Sequence, residues 1–324
     1  MTGVQSRNPD VSQIPNQVQR QVPYQPPQLA SANGIQLCYD IFGDSDADPL
    51  VLIMGLGAQM IHWDDDFCRQ LAERGFRVIR FDNRDIGHST KLSGGGRLGV
   101  LELLKLRLLR IPVRAPYTLR DMATDVVGLL DALRIRDAHI VGASMGGMIA
   151  QEMALVFPER VRTLTSIMST TGNPRLPGPT REATALLMQP PVTERDPFIA
   201  RFIETWKVLR AGHFPEDEAR DHERAVRTFE RGLSPAGVAR QLRAILASGS
   251  RKERLAAVKV PTLVIHGTVD PLVRPEAGRD TAASIPGAKL VMIEGMGHAL
   301  PIPLWPQIIN AIAAHARATK ETLH

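Results

Sequence analysis

The sequence predicts an α/β fold in which a mostly parallel central sheet is flanked by helices and carries an inserted helical cap. Three observations lead there. From Asn33 onward, short apolar runs alternate with stretches of 3.6-residue periodicity, the pattern of parallel strands covered on both faces. Between about residues 172 and 250 the alternation stops, and the chain becomes helical, charged and punctuated by Pro174, Pro177, Pro190, Pro215 and Pro235 before strands resume at Pro261. The length of 324 residues and the 44% hydrophobic content suffice to bury one large core.

Taken in order, residues 1–30 are rich in Gln, Pro, Asn and Ser, with too few apolar side chains to offset the entropy of ordering them, so a flexible tail is expected. Residues 31–171 form the first part of the α/β core. Within it, 35–41 reads as a hairpin strand, and 50–54, 78–81, 139–141 and 164–168 read as buried strands. Helical periodicity covers 67–74, 119–133 and 148–157. The helical stretch 172–250 is expected as a cap over the carboxyl edge of the sheet, where open α/β sheets bind ligands. Residues 251–324 complete the core, with strands at 263–265 and 290–293. No internal repeat is visible.

Charge and cysteine content narrow the class. Thirty-nine Lys and Arg against 34 Asp and Glu give a net charge of +5, too little to argue for a nucleic-acid partner. The excess is concentrated in residues 91–114, where Lys91, Arg97, Lys105, Arg107, Arg110 and Arg114 face one acid, Glu102. Cys38 and Cys68 are the only cysteines, which excludes a disulfide framework and an all-cysteine zinc cage; one bridge is arithmetically possible, and two free thiols in a reducing compartment is the blander reading. No apolar run is long enough for a membrane span, and the N-terminus lacks the succession of a secretory signal. A cytoplasmic protein is expected. Oligomeric state has no signature here.

The chemistry is concentrated in Gly142-Ala-Ser144-Met-Gly146. A β-branched strand runs into it and a helix runs out, as a nucleophile elbow requires: a sharp turn holds the serine in a strained conformation, and the flanking glycines remove clashes with neighbouring backbone. A glycine-rich turn with a surface serine is the bland alternative. Serine at its ordinary pKa is a poor nucleophile, so it needs a base, and the base needs an orienting carboxylate. Asp270 lies just past one late strand and His298 just past the next, which places both at the same sheet edge as Ser144. Glu294 precedes His298 in the same loop and is the less favoured acid.

The order Ser144, Asp270, His298 resembles the α/β-hydrolase superfamily over about residues 33–318. Asp82-Asn-Arg-Asp-Ile-Gly87-His-Ser89 is similar to that family's D-x-R-G-x-G-x-S segment, with Asp85 in place of the expected glycine. The stretch 54–63, followed by Arg80-Phe-Asp-Asn-Arg-Asp, looks like the esterase branch that includes aclacinomycin methylesterases and actinobacterial lipase/esterases. The resemblance implies hydrolysis of carboxylic esters, thioesters or lipid-like esters by a serine enzyme without a cofactor, acting on a small molecule. A perhydrolase or haloperoxidase-like activity and carbon–carbon hydrolysis keep a serine and stay open, whereas dehalogenases and epoxide hydrolases of this fold place a carboxylate at the elbow. A non-catalytic ligand receptor on the same fold is the rival from another class.

Acyl transfer also needs donors for an oxyanion. The Met145 amide, at the start of the helix after the nucleophile, is one expected donor. The amide of Leu56 is the second carried over from the family, with Gly57 as its fallback. Gly55, Gly57, His62 and Trp63 are candidates for lining the pocket. No histidine or cysteine spacing suggests zinc, and Asp64-Asp65-Asp66 is expected to complement a helix dipole rather than hold a metal. Residues 98–111 combine nine large aliphatics with Lys105, Arg107 and Arg110. A lid helix over the pocket is the preferred reading, and weak contact with a membrane surface is the other.

Overall fold

The computed structural model describes residues 21–94, 102, 113–215 and 217–318. Eight strands make one sheet, β1 (Tyr24–Ala32), β2 (Ile35–Phe42), β3 (Asp48–Ile53), β4 (Phe76–Phe81), β5 (Ala138–Ala143), β6 (Val161–Ile167), β7 (Thr262–Gly267) and β8 (Lys289–Ile293), in the order β1-β2-β4-β3-β5-β6-β7-β8. The first two strands and the β2/β4 pair are antiparallel, and every later pairing is parallel. The apolar run of β3 is buried on both sides, as a central parallel strand must be.

Residues 24–30, expected within the flexible tail, instead form most of β1. Pro26 and Pro27 masked the strand. The β1/β2 register shifts between Gln25 and Gln28, so the prolines sit in a bulge of an edge strand, where a missing N–H donor is tolerated. The hairpin closes through Asn33 and Gly34, with φ of 49° and 76°, the two successive positive values that a type I′ turn demands.

Helices α1 (Asp65–Glu73), α2 (Leu119–Ala132), α3 (Met145–Val156), α8 (Pro275–Ser284) and α9 (Trp305–Ala318) pack on the sheet. One apolar layer joins α2 and α3 to it, and the other joins α1 and α9. Local chemistry starts them where they start. Asp64 caps α1 by accepting the Asp66 N–H at 2.9 Å, and Thr118 with Asp121 forms a reciprocal capping box on α2.

Among the described residues, four α-helices separate β6 from β7: α4 (Arg181–Leu187), α5 (Arg195–Arg210), α6 (Glu218–Glu230) and α7 (Pro235–Ser248). A small apolar cluster of Ile199, Phe202 and Ala225 joins α5 to α6. Arginines bind this layer to the core. Arg220 reaches Asp64 and Asp66 at 3.1 and 2.8 Å, and Arg224 reaches Asp64 at 3.1 Å. Arg240 grips Asp85 with two bonds of 2.7 and 2.9 Å. The basic aliphatic segment 98–111 lies outside the described residues except for Glu102, whose carboxylate takes Arg243 of α7 at 2.8 and 2.9 Å. Among the described residues, no helix is long and apolar enough to cross a membrane.

Candidate active site

Ser144 ends the turn from β5 into α3 with φ 55° and ψ −119°, a conformation that costs an L-residue energy and is stored at functional turns. Its surroundings enforce it. A Cβ on Gly142 would stand 2.1 Å from the Gly146 carbonyl oxygen, and one on Gly146 would stand 2.0 Å from that of Ile53. The Ser144 N–H donates to the Ile167 carbonyl at 2.9 Å, and Ser169 Oγ donates to the Ser144 carbonyl at 2.7 Å. Ser144 is the N-cap of α3, yet its side chain makes no capping bond.

Asp270 and His298 come together through the loops after β7 and β8. These loops touch closely: a Cβ on Gly267 would lie 1.8 Å from the Met296 carbonyl oxygen, and the Val269 N–H donates to that oxygen at 3.2 Å. Asp270 is fully buried. Its Oδ1 accepts the Leu272 and Val273 amides at 2.9 and 2.8 Å, and its Oδ2 faces His298 Nδ1 at 2.8 Å. With one oxygen held by two backbone donors, the other presents a lone pair to the imidazole. The His298 backbone N–H donates to the carbonyl of Leu209 in α5 at 2.7 Å, so the cap rests directly on this loop.

The three side chains thus stand at the carboxyl ends of β5, β7 and β8, with the acid and base already paired. Among the described residues no hydrogen bond joins Ser144 to His298.

The loop after β3 lies against the elbow. A Cβ on Gly55 would sit 3.1 Å from Ser144 Cβ and 3.6 Å from Ser144 Oγ. Gly57 donates its N–H to Gln241 Oε1 at 2.9 Å, which removes the fallback donor, because that hydrogen already has an acceptor. Among the described residues the amides of Leu56 and Met145 have no acceptor.

His62 and Trp63 part company. His62 sits beneath the cap, with ring centroids 5.5 Å from Phe202 and 5.7 Å from Trp206 of α5 and its Nε2 3.2 Å from Thr228 Oγ1. Burial, reinforced by Arg224 and Arg231, pushes this imidazole down to about 3, so it is neutral. Trp63, expected at the pocket wall, is a fully buried core residue stacked on Phe67 at 5.6 Å.

The segment similar to D-x-R-G-x-G-x-S is a brace beside the site. Asp82 accepts the amides of Met60 and His88 at 2.7 and 2.9 Å, and a Cβ on Gly87 would strike its carboxylate at 2.1 Å. Asp85 occupies the position with φ 75°, which explains why glycine is the family's choice there. The aspartate compensates with bonds to Leu92 N–H, Tyr117 Oη and Arg240.

Two neighbours escaped the sequence reading. His266, fully buried, lies 3.5 Å from Asp270 Oδ2 and 2.8 Å from the Val273 carbonyl, and burial lowers its pKa. Gln241 of α7 holds Gly57. The histidine lies within β7 and had no spacing signal, and the glutamine lies in a segment without a motif.

Comparison with known proteins identifies the family of the fold. Residues 48–303 match the alpha/beta hydrolase fold family. The chain is 32% identical over 319 residues to rhodomycin D methylesterase DauP of Streptomyces sp. (strain C5), covering 90% of this chain and 99% of the relative. It is 30% identical, with the same coverage, to rhodomycin D methylesterase DnrP of Streptomyces peucetius. A solved hydrolase from Pseudomonas aeruginosa PA01 superposes with a TM-score of 0.67 at 27% identity, over 89% of this chain and 97% of that one.

Proposed function

The chain belongs to the α/β-hydrolase fold family, and we propose that within it the protein hydrolyses carboxylic esters through Ser144, His298 and Asp270. The observation that carries this reading is the buried 2.8 Å pair of Asp270 Oδ2 with His298 Nδ1, set at the same sheet edge as a serine strained into an elbow. Asp270 keeps the ring proton on Nδ1, which leaves the Nε2 lone pair to take the Ser144 proton. The serine oxygen then attacks the ester carbonyl. The Leu56 and Met145 amides, both without acceptors among the described residues, receive the oxyanion, and the α3 dipole adds to the second. Collapse returns the proton from His298 to the leaving alcohol. Water, activated by the same imidazole, clears the acyl-enzyme.

Both curated relatives reported above are methylesterases, which favours a methyl ester, with methanol as the leaving group. No cofactor and no metal enters these steps. The test is paired: labelling by a fluorophosphonate, and turnover of p-nitrophenyl and methyl esters of increasing acyl size, on the wild type and on Ser144→Ala. Labelling and turnover that vanish together in the variant are expected. Turnover that survives the substitution refutes the triad, and a wild type inert to both probes refutes the hydrolase reading in favour of a receptor.

A further inference from the structure

Cap helix α7 reaches the loop that follows β3. Val238 and Gln241, one turn apart on the helix, meet Gly57. A Cβ on Gly57 would stand 3.0 Å from Val238 Cγ2, and Gly57 has φ 69°. Gln241 is fully buried. Its Oε1 accepts the Gly57 N–H at 2.9 Å, and its Nε2 donates to the Arg84 carbonyl at 2.9 Å. The amide has one orientation only, because an N–H can only donate and a carbonyl can only accept.

Both partners are themselves held. The loop is a turn closed by Ala58 N–H on the Gly55 carbonyl at 3.3 Å, and Gly55 lies against Ser144 as described above. On the other side, the Arg84 guanidinium is paired with buried Asp125, and the next residue, Asp85, holds Arg240 of α7. Gly237 of the same helix approaches so closely that a Cβ there would stand 2.4 Å from the Asp85 carbonyl oxygen. Helix α7 is therefore fixed to the core on one side and to the oxyanion loop on the other, with one buried side chain bridging the two.

We propose that Gln241 is a positioning residue for ester hydrolysis: it clamps the loop 55–58 so that the Leu56 amide stays aimed at the oxyanion formed on Ser144. This rests on the serine-hydrolase reading. Without the glutamine, the half-buried Gly57 N–H loses its acceptor beside Val238, and the turn gains freedom to reorient toward another acceptor. The loss falls on transition-state stabilisation, since the ground-state carbonyl makes little demand on the donors. Loss of an oxyanion donor costs roughly 10²–10³ in kcat and a misplacement of ~1 Å about 10². A loosened loop is therefore expected to lose about ten- to a hundredfold in kcat with KM within about threefold.

The experiment compares wild type with Gln241→Leu, which removes both bonds, and Gln241→Asn, which keeps an amide one methylene too short to span both partners. The readouts are kcat and KM on p-nitrophenyl butyrate, and inhibition by an alkyl trifluoromethyl ketone and by the corresponding secondary alcohol. The ketone adduct carries an oxyanion and the alcohol does not. Parallel losses in kcat and ketone affinity, with alcohol inhibition unchanged, are expected in both variants, so the asparagine decides the matter where the leucine does not fold. Losses shared equally by ketone and alcohol, or kcat within twofold of a fluorophosphonate-reactive wild type, overturn the positioning role. A wild type that neither turns over ester nor takes the fluorophosphonate overturns the serine-hydrolase reading instead.

Discussion

Asp270→Asn tests the proposed triad most sharply, because the structure dictates how the new amide must sit. Asp270 Oδ1 accepts two backbone amides, from Leu272 and Val273, at 2.9 and 2.8 Å. An asparagine keeps both bonds only if its oxygen takes that place, which turns its NH2 toward His298 Nδ1. The flipped alternative aims NH2 at two N–H groups and leaves both buried and unpaired, at ~1–3 kcal/mol each, or about 2–6 kcal/mol in all. Facing a donor, the imidazole moves its own proton from Nδ1 to Nε2, a tautomer shift that breaks no hydrogen bond. Nε2 then has no lone pair for the Ser144 proton. The same inversion in serine proteases lowers kcat by about 10⁴, equivalent to ~5.4 kcal/mol of barrier. Initial rates on a p-nitrophenyl ester, with circular dichroism to establish that the fold is intact, provide the measurement. A variant that keeps more than about a tenth of wild-type kcat refutes Asp270 as the orienting acid and turns attention to Glu294.

Gly146→Ala places a methyl 2.0 Å from the Ile53 carbonyl oxygen and 2.9 Å from that of Met54. Neither is a side chain that can swing away, so α3 and the loop after β3 separate, with an expected loss above about 10² in kcat and ~1–3 kcal/mol in stability; urea melts and initial rates check both. Arg240→Met leaves the Asp85 carboxylate buried without its cation, at a cost of ~3–5 kcal/mol, while the double change with Asp85→Gly restores the family's residue at φ 75° and recovers most of that loss. A double variant no more stable than Arg240→Met alone contradicts this account. His62, held down to about 3 by burial, binds its proton more readily unfolded than folded. Stability is therefore full above the unfolded value near 6.5 and declines as pH falls toward 3. At pH 5 this one group costs about 2 kcal/mol relative to pH 7, and His62→Phe is expected to flatten the acid side of the urea-stability profile by that amount.

What was legible in the sequence divides along one physical line. Gly142, Ser144 and Gly146 were readable because the elbow's demands are local: a positive φ at the serine and no room for a Cβ two residues away on either side. Asp270 and His298 were readable because the strand pattern before each places its loop at the same edge. β1 was not, since Pro26 and Pro27 look like disorder unless the bulge and the neighbouring edge strand are known. Asp85 stood out as a departure, but nothing near it pointed to Arg240, a partner 155 residues away. The bond from Gly57 to Gln241 spans 184 residues and leaves no periodicity or motif at either end. The proposed serine, acid and base thus follow from short-range rules, whereas Gln241, the residue proposed to hold the loop after β3, sits on a helix 184 residues from that loop. If Gln241 holds the loop after β3 as proposed, a chimaera carrying another hydrolase's cap is expected to lose kcat on a p-nitrophenyl ester and to regain it when Gln241 and Val238 are returned to α7; initial rates unchanged by that return contradict the proposal.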